Sequence, residues 1–62
     1  MKPDFRQFSV CLMTDEGRLR VLFHSDSKEQ CERKLDGYWE MFPNGYVDIY
    51  SRSTMLNSEL DD

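Results

Sequence analysis

Two short runs of alternating apolar residues flank Thr14-Asp15-Glu16-Gly17, and that arrangement confines the first half of the chain to a β-hairpin. In Phe8-Ser9-Val10-Cys11-Leu12-Met13, the side chains of Phe8, Val10 and Leu12 fall on one side of a strand. In Leu19-Arg20-Val21-Leu22-Phe23, those of Leu19, Val21 and Phe23 do the same. The polar tetrapeptide suits a type I turn, with Gly17 supplying the left-handed conformation that closes it. A four-residue connection sets Met13 opposite Arg18, hence Leu12 opposite Leu19, Val10 opposite Val21 and Phe8 opposite Phe23. Every apolar pair then shares a face, so turn chemistry and burial select one register.

Beyond the hairpin the period changes. Ser25-Asp26-Ser27 offers N-cap side chains, and Ser27 with Gln30 or Asp26 with Glu29 would make a capping box. Cys31, Leu35, Tyr38 and Phe42 recur at helical spacing as one stripe, with Trp39 and Met41 on its flanks. The spacing predicts a helix to about Met41 with Gly37 on its polar side; a C-cap at Gly37 is the alternative. Pro43-Asn44-Gly45 is a turn, and Pro43 holds Phe42 outside helical geometry. Tyr46-Val47-Asp48-Ile49-Tyr50 then alternates as a third strand.

The element order β-β-α-β defines a small α+β domain, a three-stranded antiparallel sheet with one helix on one face. A right-handed crossover puts the third strand beside the first, in order 2-1-3, with 1-2-3 as the competing order. Residues 1–52 form this domain, and residues 53–62 read as an acidic, flexible tail in which Met55, Leu56 and Leu60 keep a helical spacing. A 62-residue chain buries only about 60% of its unfolded surface, so nearly every apolar residue is needed for the core.

Charge narrows the functional classes. The chain carries 8 basic and 12 acidic residues, net −4. Residues 1–52 hold 8 basic and 9 acidic residues, net −1, and the last ten add Glu59, Asp61 and Asp62, a further −3. A near-neutral domain with an acidic tail argues against general binding to a phosphate backbone. No stretch reaches the roughly 18 apolar residues of a membrane span, and Met1-Lys2-Pro3-Asp4 lacks the apolar run of a signal peptide. Cys11 and Cys31 match no zinc spacing and suit free thiols in the cytoplasm.

One helix covers one face of such a sheet, which leaves Gln7, Ser9, Cys11, Met13, Arg18, Arg20, Leu22, His24, Tyr46, Asp48 and Tyr50 on the other. Tyr46, Tyr50, Arg18, Arg20, Met13 and Leu22, with Trp39 at the helix edge, are residue types concentrated in protein interfaces, and they are the expected partner-binding set. The leading expectation is therefore a small protein-binding module, an inhibitor or adaptor, using the open sheet face. In size and element order the chain resembles short regulatory proteins, including phage-encoded inhibitors of host enzymes, which act by covering a partner's surface. Aromatics beside arginines on an open sheet also suit single-stranded nucleic acid, though Asp15, Glu16 and Asp48 oppose it. A third expectation is a homodimer paired through sheet edges.

Catalysis finds little footing. His24 stands without a carboxylate in this register, Cys11 is expected exposed and Cys31 buried, and neither meets a base. Glu32, Asp36 and Glu40 share one helix side as a solvated acidic face rather than a cation site. No phosphate loop or nucleophile elbow occurs. The expectation is a non-enzyme with no cofactor and no metal.

Overall fold

Gly17 reverses the chain at a φ of 81°, a conformation that other residues adopt only with strain. In this computed structural model, which describes residues 6–60, Thr14 N donates to Arg18 O at 2.8 Å, Gly17 N to Thr14 O at 3.0 Å and Arg18 N to Thr14 Oγ1 at 3.1 Å. The connection is therefore a three-residue loop, a type I turn followed by left-handed glycine. It joins β1 (Phe8–Met13) to β2 (Leu19–Ser25); α1 (Lys28–Met41), β3 (Tyr46–Ser51) and α2 (Arg52–Leu56) follow. Three antiparallel strands in the order β2-β1-β3, with α1 packed against them, make the small α+β domain that the alternation implied.

The shorter loop shifts the hairpin register. Met13 lies opposite Leu19, Leu12 opposite Arg20 and Cys11 opposite Val21, so Leu19 and Val21 face away from α1. Val10 then pairs with Phe23, which leaves Leu22 as the extra residue of a β-bulge. Leu22 and Phe23 consequently both pack with Val10, Cys31 and Leu35 on the α1 side. The expected pairings of Leu12 with Leu19, Val10 with Val21 and Phe8 with Phe23 are corrected by these two irregularities. On β3 the expected faces hold: Ile49 lies opposite Val10 and Val47 opposite Leu12, all in the cluster beneath α1.

The helix begins as its cap residues require. Ser27 Oγ accepts from Gln30 N at 3.4 Å. Ser27 N donates to Ser25 Oγ at 3.1 Å, and that hydroxyl donates to Gln30 Oε1 at 2.9 Å, so Ser25 relays the return half of the capping box. The helix passes Gly37 and ends with Phe42 N donating to Tyr38 O at 2.8 Å. Cys31 and Leu35 are buried along it.

The sheet's opposite face is also covered. Ser51 caps α2, and this five-residue helix lays Met55 against Cys11 and Leu19, with Met13, Tyr50, Leu56 and Leu60 closing round them. Leu60 bridges Leu19, whose N–H donates to Glu59 O at 2.9 Å. Residues 52–60 thus form a second layer where a tail was expected; Asp61 and Asp62 lie outside the described residues, as do residues 1–5. The cause is visible in the register, since Cys11 and Leu19 on that face are buried by a cover that a free tail would not provide.

Candidate functional site

With the far face of the sheet occupied, the expected contact surface does not exist as one plane. Cys11, expected exposed, is fully buried and its thiol points to Met55, Sγ to Sδ 3.4 Å. Burial, with a smaller contribution from Cys31, pushes that thiol up to about 12, and burial raises Cys31 as well. Met13 and Tyr50 lie on the far face as expected but pack against the Met55 cluster; desolvation and nearby Asp48 push the Tyr50 phenol upward. Leu22 belongs to the α1 side. Arg20, opposite Leu12, shares that side near its margin and is exposed. Arg18 sits at the end of the turn, with Nε 3.9 Å from Glu59 Oε2. His24, exposed, lies opposite Ser9.

The surface that remains is a rim where β1 and α1 end and β3 begins. Pro43 stops α1, and Gly45 N donates to Phe42 O at 3.0 Å, folding 42–45 back towards the sheet. Gly45 packs closely: a Cβ there would stand 2.7 Å from Leu12 Cδ1 and 3.3 Å from Phe42 Cβ, so a larger residue would displace the tip of Leu12. Between this turn and the hairpin loop lies an open groove of about 460 Å³ lined by Leu12, Met13, Asp15, Met41, Phe42 and Gly45 among others. Met41 is 65% exposed at its wall, and Tyr46, opposite Met13 at the start of β3, is 81% exposed.

Trp39 holds the adjoining edge. Its Nε1 donates to Val47 O at 2.9 Å, yet half of the residue stays in solvent. Asp48 Oδ1 accepts from Ile49 N at 2.7 Å, so both a carbonyl and an amide of edge strand β3 are engaged by side chains. That blunts the edge against pairing with another strand. Sequence reasoning singled out Trp39, Tyr46 and Met13 of this rim. It missed Met41, which it counted only as a flank of the helix stripe, because nothing local shows that Pro43 leaves that flank uncovered.

Ionisable groups do not converge here. Among the described residues, no three His, Cys, Asp or Glu side chains are grouped so as to hold a metal ion, and no helix is long and apolar enough to cross a membrane. Comparison with protein families, curated proteins and solved structures finds no match for the chain. What the geometry defines is a β-β-α-β-α domain, layered on both faces of its sheet, with Trp39, Met41 and Tyr46 exposed towards one end and Val21 exposed on β2.

Proposed function

We propose that this protein is a non-enzymatic protein-binding module, an inhibitor or adaptor, and that Trp39, Met41, Tyr46 and Met13 form its contact surface. The observation that carries this reading is the exposure of Met41, Tyr46 and Trp39 near the end of the domain where α1 stops and β3 begins, with Met41 and Met13 on the wall of a groove. Large exposed apolar side chains cost solubility, and an aromatic and Met cluster of this kind is the composition of interface cores. Tyr46 and Trp39 act as anchors, and the groove walls receive a side chain from the partner.

Two free, buried cysteines fit a reducing compartment, which supports a cytoplasmic location. Tyr50 packs under the α2 layer, so the tyrosine pair that would stack bases is split, which favours a protein over single-stranded nucleic acid as partner. The test is the double variant Met41→Glu, Tyr46→Ser. It should keep the circular dichroism spectrum of the parent while losing the proteins that the parent captures from lysate; an unchanged captured set rejects the rim.

A further inference from the structure

Gly37 is a glycine that the domain itself does not call for. It lies inside α1 and is exposed, its φ is not positive, and a Cβ there would meet nothing within 4 Å. Glycine weakens a helix interior relative to alanine, and no turn or close neighbour within the chain explains that loss. What the missing side chain leaves is a depression of about 270 Å³ bordered by Arg33, Lys34, Gly37, Tyr38 and Met41, all of them on α1. A helix laid bare at its middle lets another helix come to the short end of the usual interaxial range of about 8–10 Å.

The charges beside Gly37 identify that other helix. On a 3.6-residue period Arg33 and Glu40 form a row on one side of Gly37, and Lys34 and Met41 form a row on the other. All four are exposed. A two-fold axis at Gly37, perpendicular to α1, keeps each row on its own side and reverses its order. Arg33 then faces the copy's Glu40, and Lys34 faces the copy's Met41. A parallel pair would instead set Arg33 against the copy's Lys34, like charge on like, so the antiparallel pair is selected.

Within its own chain Glu40 has no cation three or four residues away on α1 and takes no part in the ion pairs among the described residues. Arg33 is held on Glu29 at 2.9 Å, but those side chains are 77% and 73% exposed, and a pair so solvated is easily exchanged. The sheet edges offer a copy less. Side chains of Trp39 and Asp48 occupy backbone groups of β3, and on β2 Leu19 N and Leu22 O are engaged by Glu59 O and the Tyr38 hydroxyl.

We propose that α1 is a self-association surface on which two copies of this chain pair antiparallel across Gly37, with Arg33 of each on the copy's Glu40 and the Lys34 stem on the copy's Met41. The contact spans a few helical turns, so the dimer is weak and concentration-dependent. It stands apart from the rim reading, since Gly37, Arg33 and Glu40 are not rim residues.

Sedimentation equilibrium on the full chain, from micromolar to millimolar protein, should show the average mass climbing towards twice the monomer's. Gly37→Leu fills the depression while favouring helix, so it should unfold at a higher temperature in dilute solution yet stay monomeric throughout. Arg33→Glu and Glu40→Arg should each weaken self-association at least roughly tenfold. An equimolar mixture of those two variants should recover it, because opposite charges again meet across the axis. A parent that remains monomeric at every concentration would overturn the proposal, as would a dimer that survives Gly37→Leu or a mixture no tighter than its components.

Discussion

Ser9 carries a hydroxyl into the interior. It is fully buried, opposite Tyr50 and His24, and its Oγ has no hydrogen-bond partner. Burying a hydroxyl without a bond costs about 1–3 kcal/mol on mutational scales, whereas an alanine methyl would sit there without that penalty. Ser9→Ala should therefore raise the unfolding free energy by about 1 kcal/mol in urea titration; a loss of that size would show that the hydroxyl is satisfied. Beside it, Cys11 resists ionisation. Its folded value near 12 lies above the ordinary 9.0, so the folded form keeps a proton that the unfolded chain gives up. That contribution is intact below about pH 9 and is lost as pH rises towards 12, with Cys31 and Tyr50 shifted in the same direction. Stability measured across this window should fall with pH, and Cys11→Ala, though less stable overall, should fall less steeply. An equal slope in both proteins would contradict the assignment.

At the scale of elements, the α2 layer depends on one anchor. A helix of five residues is far below the length that holds itself together in water, so α2 exists because Met55 fills the space over Cys11 and Leu19. Removing such a buried Met side chain typically costs about 2–5 kcal/mol, a large share of the roughly 3–9 kcal/mol available to a domain of this size. Met55→Ala should lower the denaturation midpoint by that proportion; a shift below about 0.5 kcal/mol would mean that α2 is not seated. The same elements mark what sequence could convey. β1, β3 and α1 were legible because each repeats its period long enough to be read, and Ser27 and Pro43 bound the helix chemically. The β2 register was not, because Leu22 is an ordinary strand residue and nothing local declares it the extra one of a bulge. Nor was α2, since Met55, Leu56 and Leu60 give too few turns for periodicity to separate a docked segment from a tail.

For the whole molecule the consequence is a change in where function can sit. The alternation and the aromatic content were readable, but the candidate surface moved, because two residues of register displacement and a five-residue helix turned an open sheet face into interior. Of the residues first expected to meet a partner, Tyr46 and Trp39 remain exposed, Met13 lines the groove, Arg18 and Arg20 lie at the margins, and Tyr50 and Leu22 support the two cores. The rim gains its importance from this exclusion, so everything rests on the sheet being covered twice. Native-state alkylation with N-ethylmaleimide, each thiol followed by mass spectrometry, tests that most directly. Cys31 is buried on the sheet-facing side of α1 and Cys11 lies under α2, and both should react at least roughly a hundredfold more slowly than in the unfolded chain. Rapid modification of Cys11 in the intact native protein, with Cys31 still protected, would mean that the second layer is absent and the sheet face is open.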